Sequence, residues 1–209
     1  MRTLIEPERE IPVISDKDVV VTGGGASGVI AAVAAARMGA STALVEVSGF
    51  LGGPLTMHLP IQGFIDGEGR QVVKGLAQEF VDRLRGKSGA YYKFTESRQT
   101  NSLLIIDPEM VKLVCQEMVL EAGVELHLHT MFADVHLEQG RPAAIIVQNK
   151  SGRQAIVGRF FIDATGDGDL AALAGAPFTV GREQDGMPQS ATLTFRVDGV
   201  EEEIGRAHV

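Results

Sequence analysis

A chain of 209 residues with 44% hydrophobic content can bury the core of one large domain or two small ones, so it needs no staples to fold. A formal net charge of -8, with acids and bases interspersed, excludes the basic stripe of a nucleic-acid or anionic-membrane binder, and any small anionic ligand must then be held by local geometry. The single cysteine, Cys115, excludes an internal disulfide, a CxxC redox pair and a thiolate zinc or iron–sulfur site within the chain, which fits a reducing, cytoplasmic setting.

The N-terminal stretch is charged and broken by Pro7 and Pro12, unlike a signal peptide, and residues 1–17 read as an extension. The only long apolar run, residues 19–36, is interrupted by Gly23, Gly24, Gly25 and Gly28 and is unsuited to a membrane span. Residues 18–22, DVVVT, predict a short buried parallel strand that feeds directly into those glycines. An alanine-rich helix ending near Gly39 and a second strand, TALVE at 42–46, complete a β-α-β unit.

Residues 50–106 are less regular, with one helix predicted in VVKGLAQEFVDRLRG, where Val73, Leu76, Phe80, Val81 and Leu84 approximate one face. Asp107 as N-cap, Pro108 at the first helical position and Glu109 in the first turn open a further helix that Gly123 ends. VELHLHT then alternates as a strand. FADVHLE, AAIIVQN and RQAIV, separated by QGRP and KSG, predict a three-stranded antiparallel meander over residues 132–157. FFIDATG, residues 160–166, is a further buried strand ending in a small-residue turn, and after Pro177 the clear element is ATLTFRV.

Gly23, Gly25 and Gly28 form G-x-G-x-x-G: the first permits the tight turn, the second lets the backbone approach a pyrophosphate, and the third lets the helix pack closely on the sheet. The helix N-terminus then offers free N–H groups and a partial positive charge to phosphates. Small residues Ala31, Ala32 and Ala35 inside the helix, and Glu46 closing the second strand 18 residues after Gly28, supply the context of a dinucleotide fingerprint. A carboxylate at that point accepts from a ribose and disfavours a 2′-phosphate, hence NADP. The fingerprint alone leaves NAD and FAD open.

With the glycine doublet of GFLGGPLT and the later FFIDATGDGDLAALAGAP in order behind VVVTGGGASGVIAAVAAARMGASTALVE, the sequence resembles the FAD-dependent oxidoreductases with a glutathione-reductase-like FAD domain, in particular a soluble branch of mostly unassigned substrate. KGLAQEFVDRL, SGRQAIVGRFFIDATGDGD and GREQDG extend the similarity to about Val200, and Ala26, where this fingerprint often has proline, is a mild departure. The resemblance implies an α/β, Rossmann-like FAD-binding domain over 18–177 with an inserted antiparallel meander, and the start of a substrate domain at 178–202.

By the same resemblance, Gly24, Ala26, Ser27 and Gly28 line the pyrophosphate together with Gly23 and Gly25. Glu46 meets the adenosine ribose, Gly52 and Gly53 lie beside the cofactor, and the backbone near Phe132 meets the adenine. Ala164, Thr165 and Gly166 pack near the pyrophosphate, and Asp167 either reaches the cofactor or sits in a solvated turn. The implied chemistry is hydride transfer through the flavin to or from a small molecule, with no catalytic residue assigned.

Other candidates are weaker. DATGDGD lacks EF-hand spacing, so no metal is expected. His127 and His129, two apart on a predicted strand, share a face and read as an exposed strand edge rather than a ligand pair. His58 reads as a loop histidine, with a flavin-facing proton donor as the sharper alternative. Cys115 reads as a buried, inert thiol. The terminal EIGRAHV matches the translation of a widely used sequencing-library adapter, so residues 203–209 are expected to be read-through and the chain an N-terminal fragment. An NAD-binding Rossmann dehydrogenase and an inactive, truncated nucleotide-binding module are the competing readings.

Overall fold

The computed structural model of the chain describes residues 3–4, 7–57, 59–66, 68–94, 102–191 and 193. His58, most of ATLTFRV and the 203–209 tail lie outside the described residues.

Strand β1 (Val13–Thr22), helix α1 (Ala26–Arg37) and strand β2 (Thr42–Val45) form the expected β-α-β unit, and β1 lies parallel to β2 with Val20 opposite Ala43 and Thr22 opposite Val45. β1 begins at Val13, five residues before the apolar run at 18. Its first half, VISDK, is charged and largely exposed, so it carries no apolar signal; backbone pairing with the 155–158 segment makes it a strand.

The middle of the chain is more ordered than the sequence suggests. A 3-10 turn (Gly53–Met57) leads to β3 (Ile61–Gln62), α2 (Leu76–Gly86), β4 (Ala90–Phe94) and β5 (Ser102–Ile106), and the three strands pair antiparallel in the order β3-β5-β4. α2 starts later than the VVKG of the predicted helix because Gly75, at φ 70°, stands outside helical space at its N-cap. Helix α3 (Pro108–Glu121) starts as predicted: the Asp107 carboxylate accepts from Glu109 N at 2.8 Å and Met110 N at 3.2 Å. Gly123, at φ 75°, takes the left-handed position that ends it.

The remaining elements are β6 (Glu125–His127), β7 (Met131–Glu138), β8 (Arg141–Asn149), β9 (Gly152–Asp163) and the short α4 (Asp169–Leu173). One six-stranded sheet runs β6-β2-β1-β9-β8-β7, with its first four strands parallel and the meander antiparallel. The runs RQAIV and FFID are therefore one strand rather than two. Gly158 between them resembles a breaker, yet a Cβ there would lie 2.7 Å from Val20 Cγ2, so it is the residue that lets β9 pass alongside β1.

Alternation in DVVVT divides the core. Val21 joins Leu44, Val29, Val33, Val114 and Met118 under α1 and α3, while Val20 joins Val45, Ile145, Val147 and Leu170 beneath the meander and α4. Each such fully buried side chain contributes about 1.5–3 kcal/mol of apolar transfer, and burial on both faces is what a central parallel strand demands. On the outer surface Arg37 of α1 forks onto Glu79 of α2 at 2.6 and 2.8 Å. Arg83 links Glu79 to Glu121 of α3, tying the three helices together.

Candidate functional site

All parallel strands end on one side, and the glycine turn sits where β1 ends. Gly23, at φ 101°, donates its N–H to Val45 O at 2.8 Å, and Ala164 N donates to Thr22 O at 2.8 Å. A Cβ on Gly23 would stand 2.2 Å from Ala164 O, so the small-residue turn after β9 is pressed directly against the glycine turn. A Cβ on Gly28 would stand 1.8 Å from Gly23 O: the helix cannot approach the strand with any side chain there. Gly24 is hemmed in by Leu51 Cδ2 and Glu46 Cβ, and its carbonyl accepts from Gly52 N at 2.9 Å.

Gly25 differs from these. Its backbone is ordinary, φ -70° and ψ -172°, and a Cβ there would meet nothing nearer than Gly53 Cα at 4.0 Å. Protein packing gives no reason for glycine, and the missing side chain leaves room at the cleft edge. α1 begins here with no capping side chain and no acid in its first turn. Val29 N makes the first intrahelical bond, to Gly25 O at 3.0 Å, so the preceding N–H groups of the helix remain for a ligand.

Glu46, 9% exposed, is clamped by backbone: its Oε2 accepts from Gly24 N at 2.6 Å and its Oε1 from Ser48 N at 2.7 Å. An ionised carboxylate has about four acceptor positions, so two donors leave capacity toward the cleft. Its main chain continues the sheet, with Glu46 N donating to His127 O and Thr130 N donating to Glu46 O.

The turn after β9 is organised by Asp163. Its Oδ1 accepts from Thr165 N at 3.0 Å and Thr165 Oγ1 at 2.8 Å, and its Oδ2 from Ala171 N at 2.8 Å. Burial raises the Asp163 pKa, but these hydrogen bonds outweigh it and hold the carboxyl below its ordinary value. Thr165 Oγ1 in turn accepts from Gly168 N and Asp169 N, each at 3.0 Å.

These parts enclose a cleft of about 610 Å³. Gly23, Gly25, Ala26 and Ser27 line it from the glycine turn, and Glu46 and Gly53 from the segment after β2. Phe132 borders it from the meander, with Ala164, Thr165 and Gly166 from the turn after β9. Gly24, Gly28 and Gly52 lie behind the lining and shape it through the contacts above. Asp167 is exposed on the turn and does not line the cleft; Asp169 does. Thr22, Val45 and Thr130 also line it and escaped sequence reasoning, since nothing in their type or spacing marks a site.

The histidine pair corrects the sequence reading. β6 ends at His127, paired with Val45 at the end of β2, and His129 turns off the strand at φ 50°, its N–H donating to Ser48 O. The two rings share no strand face: His127 Nε2 meets Glu125 Oε1 at 2.8 Å, and His129 packs against Gly49. Cys115 is fully buried in the helical core, and burial pushes its thiol up to about 12, the inert state expected of it.

The profile of the FAD dependent oxidoreductase family matches residues 18–208. A 77-residue stretch is 38% identical to the tRNA uridine 5-carboxymethylaminomethyl modification enzyme MnmG of Aquifex aeolicus, covering 37% of this chain and 11% of that one. Among solved structures, THI4 of Thermovibrio ammonificans superposes with a TM-score of 0.55 at 18% identity, over 76% of this chain and 61% of its own. A geranylgeranyl bacteriochlorophyll reductase-like protein of Thermoplasma acidophilum gives 0.55 at 17%, over 77% and 42%. The myxobacterial chondrochloren halogenase CndH, described as a variant of FAD-dependent halogenases, gives 0.52 at 16%, over 72% and 37%. The chain thus spans about a tenth of the curated relative it matches and between about a third and two thirds of these structures. The structural likenesses establish the Rossmann-like fold; the family profile, extending across nearly the whole chain, makes it a member of the FAD dependent oxidoreductases, with FAD as its cofactor.

Proposed function

We propose that this chain is the FAD-holding portion of an oxidoreductase that exchanges a hydride with a small-molecule substrate. The observation that carries the reading is Gly25: among the glycines of the fingerprint its missing side chain is the one that protein packing does not require, and it opens onto the cleft beside an uncapped helix N-terminus. In this reading the first N–H groups of α1 take the diphosphate, and Glu46 takes the ribose hydroxyls with the acceptor positions that Gly24 and Ser48 leave. The backbone around Phe132 borders the adenine, and the Ala164–Gly166 turn closes the diphosphate from the other side.

FAD, when bound, supplies the hydride-accepting or hydride-donating chemistry. The chain's part is to bind and orient. Its Glu46 carboxylate, with both oxygens accepting from backbone N–H groups, is arranged for binding.

The test is to incubate the purified protein with FAD and pass it through gel filtration. Visible flavin bands that travel with folded protein support the reading; a folded, colourless protein that binds NAD instead would overturn it.

A further inference from the structure

The run VVVT ends in a residue that does not fit its surroundings. Val19, Val20 and Val21 are followed by a threonine of the same shape as valine, 1% exposed, so valine would fill the space without burying a hydroxyl. Burying an unpaired hydroxyl costs free energy, and buried polar groups are accordingly paired as a rule. Other threonines around the site obey: Thr56 donates to Gly53 O at 2.8 Å, Thr130 to Leu128 O at 2.9 Å and Thr165 to Asp163 Oδ1 at 2.8 Å.

Thr22 does not obey. Its Oγ1 is buried without a hydrogen-bond partner, and Thr22 lines the cleft. Strand alternation puts its side chain on the same side of the sheet as Val20, in register with Val45, which also lines the cleft. Its neighbour across β9, Asp163, has both oxygens engaged by the turn. Among the residues that line the cleft, Val45 stands beside Thr22 in the sheet and Glu46 follows Val45 in the chain.

We infer that the Thr22 hydroxyl is a cofactor-binding group, hydrogen-bonding the adenosine diphosphate half of FAD at the floor of the cleft. This rests on the reading of the cleft as the FAD site. The hydroxyl gains its partner when the dinucleotide enters, which gives a reason for threonine where valine packs equally well.

The experiment compares the protein with Thr22→Val and Thr22→Ser, measuring FAD and ADP affinity by equilibrium dialysis and the melting temperature of each protein without nucleotide. The expected result is a loss of about five- to tenfold in affinity for FAD in Thr22→Val, as one net hydrogen bond gives. ADP should lose affinity by the same factor, Thr22→Ser should stay within about twofold, and the nucleotide-free melting temperature of Thr22→Val should be unchanged or higher. Equal FAD affinity in the protein and Thr22→Val overturns the inference while leaving the FAD site intact. A lower melting temperature in Thr22→Val, with affinity retained, assigns the hydroxyl to the fold and also overturns it. If the unaltered protein binds neither FAD nor ADP, the reading of the cleft itself fails, and the inference with it.

Discussion

Two glycines of one fingerprint are expected to behave in opposite ways when each is given a single methyl group. At Gly28 the added Cβ would lie 1.8 Å from Gly23 O and 3.0 Å from Gly23 C, with Ala164 Cβ at 3.2 Å behind it. The obstacle is backbone, and it is pinned, because Gly23 N is bonded to Val45 O at 2.8 Å. Relief requires the helix to move off the strand by more than an ångström, an overpacking cost of about 1–3 kcal/mol or more. Alanine inside a helix returns up to about 1 kcal/mol in propensity, so Gly28→Ala should lose a net ~2 kcal/mol, or a melting temperature lower by about 4–8 °C for a domain of this size.

At Gly25 the same methyl meets only Gly53 Cα at 4.0 Å, on a backbone any residue adopts. The gain from a stiffer unfolded chain, about 0.4–1 kcal/mol, roughly offsets the weaker N-cap. Gly25→Ala should therefore fold with near-normal stability, yet its methyl occupies the room beside the helix N–H groups, and FAD affinity should fall at least about tenfold, equivalent to ~1.4 kcal/mol. Urea unfolding followed by far-ultraviolet circular dichroism, paired with equilibrium dialysis against FAD, measures both quantities. Equal destabilisation by the two substitutions, or undiminished FAD affinity in Gly25→Ala, would refute the assignment of Gly25 to the ligand.

Further outcomes follow from groups outside the cleft. The Arg37 guanidinium on Glu79, aided by Arg83, holds the Glu79 carboxyl down at about 2 from an ordinary 4.5. Because the pKa is depressed in the folded state, this stability is present above pH ~4.5 and lost as pH falls toward ~2. After allowance for screening it is worth about 1 kcal/mol at neutral pH, and Glu79→Gln should remove it and flatten the acid limb of a stability–pH curve. Asp107→Ala removes the acceptor of two N–H groups of α3 and should cost ~1 kcal/mol in urea unfolding, with Asp107→Asn retaining most of it. Cys115 should ignore a thiol-reactive chromogenic disulfide in the native protein at mildly alkaline pH and react fully in denaturant; rapid native labelling would contradict its burial.

What the sequence revealed was what is encoded locally. The β-α-β unit around VTGGGASG and the start and stop of α3 are written in neighbouring residues: an apolar run, a capping aspartate, a proline at the first turn, a glycine at the end. What stayed hidden depends on distant partners. The β3-β5-β4 sheet joins Ile61 to Leu104, and the charged first half of β1 becomes a strand only against residues 155–158 of β9. Gly158 reads as a break because the Val20 side chain that demands it lies far away in sequence. In the site, the fingerprint glycines and Glu46 were legible through spacing and the Gly52–Gly53 doublet and Ala164–Gly166 turn through the family resemblance, whereas Thr22 and Asp163 stand out only by a hydrogen-bond partner missing or held, which no local pattern displays.

Glu46 serves both the fold and the candidate site. Read from spacing, an acid at the end of the second strand is a ribose acceptor; in the fold it also receives the N–H of Gly24 and of Ser48, so it braces the glycine turn from beneath. With Gly23 N on Val45 O and Gly52 N on Gly24 O, the turn's shape is set by the chain's own bonds. A dinucleotide then need not order the loop in order to bind, which removes an entropic cost of association. The same arrangement answers how a chain of net charge -8 accepts an anionic cofactor. The Glu46 carboxylate at the turn is engaged by two backbone donors and the first turn of α1 carries no acid, so in the proposed reading the positive end of the helix is left to face the phosphates.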